Sequence, residues 1–342
     1  MKKVIVVLAA IVLMAGSAYA SQWNFYGSAR VSTFWSDTDT ISGADGDTQY
    51  SEGLQTNSRI GANVKVSDEL IGRFEYGTGV NVRLLYGEWD FGAGKLLVGQ
   101  DYAPLTWLWS NQVYGDDNDL LRHGAVYSHR HPQIRLTFGD FKIAFIDPQK
   151  DVDGFGAESQ TIIPAIEVAY TLDLDVVKLD FGAGYSTFEA TDTVVGDDDD
   201  VDSYVLAFGA RFDMAGFFMK GDVYYGQNAG NLIWINVDGT QAADGGFAEF
   251  DATGKLLDNE CIGFMLVAGY KINDMFTVEA GYGFTQTELD DNDDNEAAAY
   301  YINTTINLAP GVFVVPEVGY FDGKENGESE VFYYGMKWQI NF

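Results

Sequence analysis

The last twelve residues of the chain alternate strictly between two kinds of side chain. They read VFYYGMKWQINF, and one parity carries only large apolar residues, namely Phe332, Tyr334, Met336, Trp338, Ile340 and Phe342. The other parity is smaller or more polar and includes Lys337, Gln339 and Asn341. Because successive side chains of a strand point to opposite faces, this pattern predicts a β-strand with one apolar and one wetter face. The apolar face extends to the final residue, so the fold must give this whole face an apolar environment.

The beginning of the chain carries a different signal. Lys2 and Lys3 precede the apolar stretch VIVVLAAIVLMAG, which leads to the small-residue sequence Ala18-Tyr19-Ala20. This order of basic, apolar and small residues is typical of a secretory signal peptide. We therefore predict that residues 1–20 are a signal peptide and that residues 21–342 form the mature domain. An uncleaved transmembrane helix is the alternative, although the apolar stretch is short for one.

The rest of the chain repeats the alternating pattern in segments of about ten residues, such as IEVAYTL and IGFMLVAGYKI. Short turns such as GD, DLD and AG alternate with long acidic loops such as LDDNDDNE. This order is typical of outer-membrane barrels, and an even number of strands closes such a sheet without a free edge. We predict an all-β fold, a 16-stranded antiparallel transmembrane β-barrel with short periplasmic turns and long acidic outer loops. A soluble β-sandwich or solenoid would alternate similarly and is the alternative.

Charge and composition exclude several classes of function. The chain has 51 acidic against 20 basic residues and a net charge of −31, which argues against nucleic-acid binding. The histidines His123, His129 and His131 follow no standard metal-ligand spacing, and no nucleophile motif accompanies them, so we predict no enzyme activity, no metal site and no cofactor. The acidic runs at residues 197–200 and 290–296 could bind Ca²⁺ or Mg²⁺ loosely, with solvated loops as the alternative.

Several arginines fall at about mid-height on the predicted strands. Arg30, Arg59, Arg73 and Arg83 lie on strands 1 to 4. A charge facing lipid at that depth would cost roughly 2–4 kcal/mol, so these side chains are predicted to face the lumen. Arg83 is the exception in pattern, because it shares its parity with the outward residues Leu85 and Trp89.

Three short motifs resemble a known family. Asn57-Ser58-Arg59-Ile60-Gly61, Phe25-Tyr26-Gly27 and FGAGKL with the following VG resemble segments of the general, non-specific porins of the Gram-negative outer membrane. The resemblance implies a homotrimer of 16-stranded barrels whose third loop, residues 101–131 here, folds into the lumen as a constriction loop. It also implies that Phe342 is the signal read by the barrel-assembly machinery.

The resemblance further implies a pore constriction in which acidic loop residues face a ladder of arginines. The acidic group is then Asp116, Asp117 and Asp119, and Arg59 and Arg83 match two arginines of the ladder. Arg30 lies one inward step beyond the family's usual basic position on strand 1, which is Ser28 here. With Arg73, predicted above to face the lumen, and Arg130, these arginines make up the predicted basic group. Arg130 would replace an arginine that the family often has at the position of Ser128. The family's P-E-F-G-G loop motif is absent, and Val113-Tyr114-Gly115-Asp116-Asp117 stands in that region.

These observations lead to one expected function and several alternatives. We expect an outer-membrane channel for passive diffusion of small hydrophilic solutes and ions, with weak cation selectivity from its acidic mouths. A substrate-selective channel for sugars or organic anions is the alternative on the same fold. An outer-membrane enzyme and a plugged structural barrel belong to other classes, and absence of conductance would exclude both channel functions. The expected partners are outer-membrane lipid, lipopolysaccharide and further copies of the chain.

Overall fold

The computed structural model describes residues 21–39, 47–154, 158–192, 196, 198–237, 245–323 and 330–342. The predicted signal peptide, residues 1–20, lies outside this range, and so does residue 197 of the first acidic run.

The regular secondary structure of the described part of the chain is almost entirely β-strand. They are β1 (Gln22–Asp39), β2 (Gln49–Leu54), β3 (Arg59–Lys65), β4 (Leu70–Gly77), β5 (Val82–Asp90), β6 (Lys95–Tyr102), β7 (Arg130–Phe138), β8 (Phe141–Ile146), β9 (Val152–Gly154), β10 (Glu158–Thr161), β11 (Ala165–Asp173), β12 (Val177–Thr191), β13 (Asp198–Met214), β14 (Phe217–Gln227), β15 (Ala248–Phe250), β16 (Leu256–Leu257), β17 (Asn259–Lys271), β18 (Phe276–Leu289), β19 (Asp294–Ala309), β20 (Val312–Gly323) and β21 (Glu330–Asn341).

Eighteen of these strands form one closed antiparallel sheet, and β9, β15 and β16 form a small separate one. In the wall, β2 and β3 pair with successive parts of β1, and β10 and β11 pair with successive parts of β12. Each of these two pairs therefore acts as a single wall strand. The barrel has 16 wall strands, which confirms the predicted fold class.

The final strand closes the barrel. β21 pairs with β1 from Ser28↔Asn341 to Asp39↔Glu330. The last backbone contacts are made by Phe342, whose carbonyl accepts from Gly27 N at 2.6 Å and whose N–H donates to Gly27 O at 3.0 Å. A side chain at position 27 would meet the Phe342 ring at 2.5 Å, so glycine lets this ring lie directly on β1. The seam leaves neither edge strand unpaired.

The alternating pattern separates the two faces of the wall as predicted. On β21, Trp338 and Ile340 are 47% and 52% exposed on the outer surface, whereas Tyr333 and Lys337 are 0% and 4% exposed towards the interior. The outer surface of the barrel is therefore apolar and suited to lipid. No helix among the described residues is long and apolar enough to cross a membrane.

The connections follow the predicted short and long order. Ala215 and Gly216 join β13 to β14 with φ values of 55° and 85°, the left-handed pair that a two-residue hairpin turn requires. At the opposite end of the barrel, the connections after β6 and after β14 are long, and both enter the barrel interior. We call residues 103–129 loop 3 and the described residues 228–237 and 245–258 loop 6.

Candidate functional site

Loop 3 crosses the barrel interior with an apolar body. Most of its buried apolar residues pack in one cluster with small and apolar residues of the wall. The loop members of that cluster are Ala103, Leu105, Trp107, Trp109, Leu120, Ala125 and Val126. The indole rings of Trp107 and Trp109 stack with centroids 5.0 Å apart. Both rings lie against Gly209 of β13, where a side chain would collide with them. Glycine in the wall thus makes room for the loop.

Carboxylates of the inner wall hold the backbone of loop 3. Glu279 accepts a hydrogen bond from Asn111 N at 2.7 Å. Glu317 accepts from the N–H groups of Val113 and Tyr114 at 2.8 Å and 2.9 Å. These loop N–H groups are shielded from water and do not pair with a neighbouring strand. The carboxylates therefore satisfy hydrogen-bond donors that would otherwise be costly to bury. The wall therefore fixes the course of the loop by charge-assisted hydrogen bonds.

The base of the loop is held in the same way. Glu167 of β11 accepts from Leu105 N at 2.9 Å and from the hydroxyl of Ser128. Ser128 is 1% exposed. Ser128 stands where the family named above often has a pore arginine. Here its hydroxyl helps to hold the two ends of loop 3 against the wall.

The tip of loop 3 docks on the start of β3. It contains an irregular turn at Tyr114–Asp117, in which Gly115 and Asp116 have non-helical φ and ψ values. Asp116 accepts from Thr56 N at 2.7 Å and from Thr56 Oγ1 at 2.8 Å. Asn57 donates its side-chain N–H groups to Asp116 O and Asp117 Oδ2, each at 2.8 Å. The first residue of the NSRIG motif is therefore a docking residue for the loop.

The tip backbone is strained. Asp117, Asp119 and Leu120 have φ values of 60°, 51° and 57°, in the left-handed region that costs non-glycine residues about 1 kcal/mol or more each. Such conformations persist only when neighbouring contacts determine them. The contacts of Asp116 and Glu317 supply that constraint, so the tip is held in one geometry.

Asp117 lies between two cations of the wall. Its carboxylate is 2.5 Å from Arg30 Nη1 and 3.0 Å from Lys337 Nζ, and the Asp117 and Lys337 side chains are 9% and 5% exposed. Asp119 lies close by. Burial inside the barrel and the neighbouring Asp117 carboxylate raise the pKa of Asp119 well above its ordinary value, although Lys337 opposes them. The negative charge at the tip is thus largely compensated by the seam strands.

Three further arginines share one carboxylate on β4. Glu75 is 1% exposed and accepts from Arg83 Nε at 2.8 Å. Arg59 and Arg73 each approach it to 3.5 Å. Tyr26 OH also donates to Glu75 at 2.8 Å. Three positive charges with one negative charge leave this part of the wall basic.

A β-bulge explains why Arg83 faces the lumen despite its parity. The pairing of β4 with β5 shifts register between Glu75↔Leu84 and Tyr76↔Val82, which leaves Arg83 as an extra residue. Arg83 and Leu84 are both buried, while Leu85 is 53% exposed on the outer face. The bulge rotates the strand by one position and aims Arg83 at Glu75.

Arg130 extends the basic wall along β7. Its guanidinium donates to Tyr102 OH at 3.1 Å and lies 5.3 Å from the centre of the Tyr102 ring. Arg83 approaches the same hydroxyl at 3.4 Å. Tyr102 therefore joins Arg130 to the cluster around Glu75, and the basic residues form a continuous stretch from β3 to β7.

The sequence comparison identifies the family to which this wall and loop belong. Residues 7–326 match the model of a family described as Gram-negative porin. The chain is a Gram-negative porin. The family and the closed barrel place it in the outer membrane as a multi-pass β-barrel, as predicted.

Solved structures with the same fold include several outer-membrane channels. The porin is similar to the outer membrane channel DcaP of Acinetobacter baumannii, with a TM-score of 0.75 and 16% identity over 95% of this chain and 99% of that one. It is similar to the anion-selective porin of Comamonas acidovorans, with a TM-score of 0.61 and 14% identity over 94% and 100%. For OmpF of Salmonella typhi the values are 0.61 and 15% over 93% and 97%. At these identities the similarity shows the fold alone. No curated protein matches the porin by sequence.

The structure places the predicted site residues of the porin in two separate groups, rather than as one acidic group that faces one basic group. Arg59, Arg73, Arg83 and Arg130 form the basic stretch around Glu75 and Tyr102. Arg30 contacts Asp117 directly, so this pair does not span an open gap. Their role at the constriction remains a prediction.

Sequence reasoning missed the roles of several residues of the porin's site. Lys337 lies on the inward parity of the final strand, so the alternating pattern could have identified it as a charge that faces the lumen. The function of Glu167, Glu279 and Glu317 in holding loop 3 left no local signal, because their partners are more than 35 residues away in the chain. Among the described residues, no group of three or more His, Cys, Asp or Glu side chains is arranged to hold a metal ion.

Proposed function

We propose that this porin forms a water-filled channel through which small hydrophilic solutes and ions diffuse passively. The observation that carries the proposal is the charged wall from β3 to β8. Arg59 and Arg73 keep side-chain exposures of 20% and 35%, and Lys142 of β8 is exposed in the lumen. Charged side chains that stay hydrated inside a barrel fit an aqueous path and do not fit a packed core.

The test is liposome swelling with neutral solutes of increasing size. Proteoliposomes that contain the folded porin should swell in small sugars, with a rate that falls as the sugar grows. A swelling rate equal to that of protein-free liposomes for the smallest sugar would contradict the proposal.

The channel is proposed to be weakly cation-selective. The net charge of −31 and the acidic loops raise the cation concentration at the mouths, whereas the basic stretch opposes cations along the wall. The two effects act in opposite directions, so the selectivity is small. A reversal potential measured across a salt gradient tests this, and clear anion selectivity would contradict it.

A substrate-selective channel for organic anions or sugars is the second candidate, and one cavity favours it. Between loop 3 and the wall lies a space of about 370 Å³ whose lining includes Arg135, Lys142, Thr171 and Arg211. Arg135 and Arg211 are paired with Asp101 and Asp180, whereas Lys142 makes no hydrogen bond or ion pair within the described residues. Solute-dependent block of the single-channel current would favour this candidate over non-selective diffusion.

The assembly of the porin is proposed to be a homotrimer in contact with lipopolysaccharide and inserted by the barrel-assembly machinery. Ala29 offers a small exposed outward residue on β1, where a second barrel could approach. Ala62 is also small, but it is 0% exposed because it lies in register between Phe25 and Phe74. Mass measurement in detergent tests the trimer. Ca²⁺ or Mg²⁺ at the acidic loops is proposed only as a loose bridge to lipopolysaccharide, and chelation should weaken it.

A further inference from the structure

Loop 6 begins inside the barrel rather than outside it. After β14, Asn228 takes a left-handed φ of 49° and a short 3-10 turn follows at Ala229–Asn231. The next apolar residues Leu232, Ile233 and Ile235 are 4%, 1% and 4% exposed. Aliphatic side chains of a loop that reached out into water would not be buried to this extent.

These aliphatic residues belong to the same apolar cluster as loop 3. The cluster combines Leu232, Ile233 and Ile235 with the loop 3 residues Leu105 and Trp107 and with wall residues of β13 and β17. Leu232 also lies against Gly184 of β12, where a side chain would approach it to 3.3 Å. Loop 6 therefore fills interior space that loop 3 leaves along the β12–β17 side of the barrel.

Trp234 connects loop 6 to the returning arm of loop 3. Its backbone N–H donates to Tyr127 O at 2.8 Å. The Arg122 guanidinium lies 4.2 Å from the centre of the indole, and the His129 ring lies 4.9 Å from it. The Trp234 backbone is thus held by this hydrogen bond, and the indole is held by a cation–π contact and an imidazole.

Loop 6 is also anchored where it leaves and rejoins the wall. Asn228 donates to Asp202 O at 2.9 Å and to Asp258 Oδ1 at 2.7 Å. Asn231 donates to Ser203 Oγ at 3.3 Å and accepts from Asp151 N at 2.9 Å. The described part of the loop further downstream forms β15, which pairs in parallel with β9. The inward position is fixed at several points.

We propose that loop 6 is a second pore-limiting loop and that Trp234 is the positioning residue that holds it against loop 3. The two loops together line the barrel with packed apolar side chains that ions do not cross. The permeation path is then confined to the charged wall from β3 to β8. This inference rests on the proposed channel function, because it concerns the width and course of that channel.

The test compares single-channel conductance and polymer exclusion in planar bilayers. The variants are Trp234→Ala, Trp234→Leu and the control Trp35→Ala. Trp35 is a suitable control because it is 39% exposed on the outer face and its aromatic contacts, Tyr50 and Tyr334, also face outward. Trp234→Leu keeps an apolar side chain for folding but removes the ring that Arg122 and His129 contact. Heat-modifiable migration on gels reports that each barrel is folded.

We expect Trp234→Ala to raise the conductance about twofold and to admit larger polymers, because pore width sets permeation. Trp234→Leu should show a smaller rise, and Trp35→Ala should match the wild type. Wild-type conductance and exclusion in folded Trp234→Ala would overturn the inference, as would failure of both Trp234 variants to fold, since the residue would then act on barrel stability. Absence of conductance in the wild type would instead contradict the proposed channel function itself.

Discussion

Glu75 is the single carboxylate around which three wall arginines gather, and its removal should destabilise the barrel measurably. We consider Glu75→Gln, which keeps the shape and an acceptor oxygen but removes the charge. The Arg83–Glu75 pair is 2.8 Å long with side-chain exposures of 7% and 1%. Removing one member of a buried pair typically costs about 3–5 kcal/mol, because the other charge is left uncompensated.

The remaining arginines add little to this figure. Arg59 and Arg73 lie 3.5 Å from Glu75 and keep exposures of 20% and 35%, so water already screens them. Pairs of that kind contribute about 0–1 kcal/mol each. Lumen water can also reach Arg83 after the substitution, which favours the lower end of the range. We therefore expect the free energy of unfolding to fall by about 3 kcal/mol.

The assay is denaturant unfolding of the porin in lipid vesicles, followed by tryptophan fluorescence. The matched control is Glu88→Gln, because Glu88 pairs at 3.2 Å with Lys95, which is 49% exposed. That change should cost less than about 1 kcal/mol. The double variant Glu75→Gln/Arg83→Met should recover part of the loss, since it replaces the buried pair by neutral groups. If Glu75→Gln unfolds like Glu88→Gln, the Glu75 carboxylate does not stabilise the wall and the reasoning fails.

Other predictions follow from the seam and the inward loop. Deletion of Phe342 removes both backbone hydrogen bonds to Gly27 and should impair outer-membrane assembly while leaving export across the inner membrane intact, as cell fractionation would show; normal assembly would count against this. Asp117→Asn leaves Arg30 and Lys337 without their shared carboxylate, so the reversal potential should move towards anions, and a move towards cations would contradict it. Burial, with a smaller contribution from Arg122, lowers the pKa of His123 to about 4. The unfolded chain therefore binds a proton at a higher pH than the folded barrel does, so the free energy of unfolding should fall as the pH is lowered from about 6.5 to about 4. His123→Gln should reduce that slope, and an unchanged pH profile would refute the assignment.

The fold could be predicted from the sequence because the barrel signal is local. Strict alternation fixes which face of each strand meets lipid, and loop lengths fix which end is which. Arg83 shows the limit of this reasoning. A bulge inserts one residue and reverses parity from there on, and no residue type announces it.

The site could be predicted only in part, because its contacts join distant segments. The arginines were readable as inward charges, but the direct contact of Arg30 with Asp117 depends on where loop 3 docks. The entry of loop 6 into the lumen had a weak signal in the apolar run NLIWINV within an otherwise polar connection. Such a run is equally compatible with an outer loop that packs on itself, so only the tertiary structure distinguishes the two.

The central claim is that the barrel encloses a hydrated path, and conductance in planar lipid bilayers tests it most directly. Purified, folded porin added to one side of a bilayer in salt solution should produce discrete stepwise increases of current that persist at low voltage. Folded and inserted protein that leaves the membrane insulating would show that loop 3 and loop 6 plug the barrel, and would contradict the account.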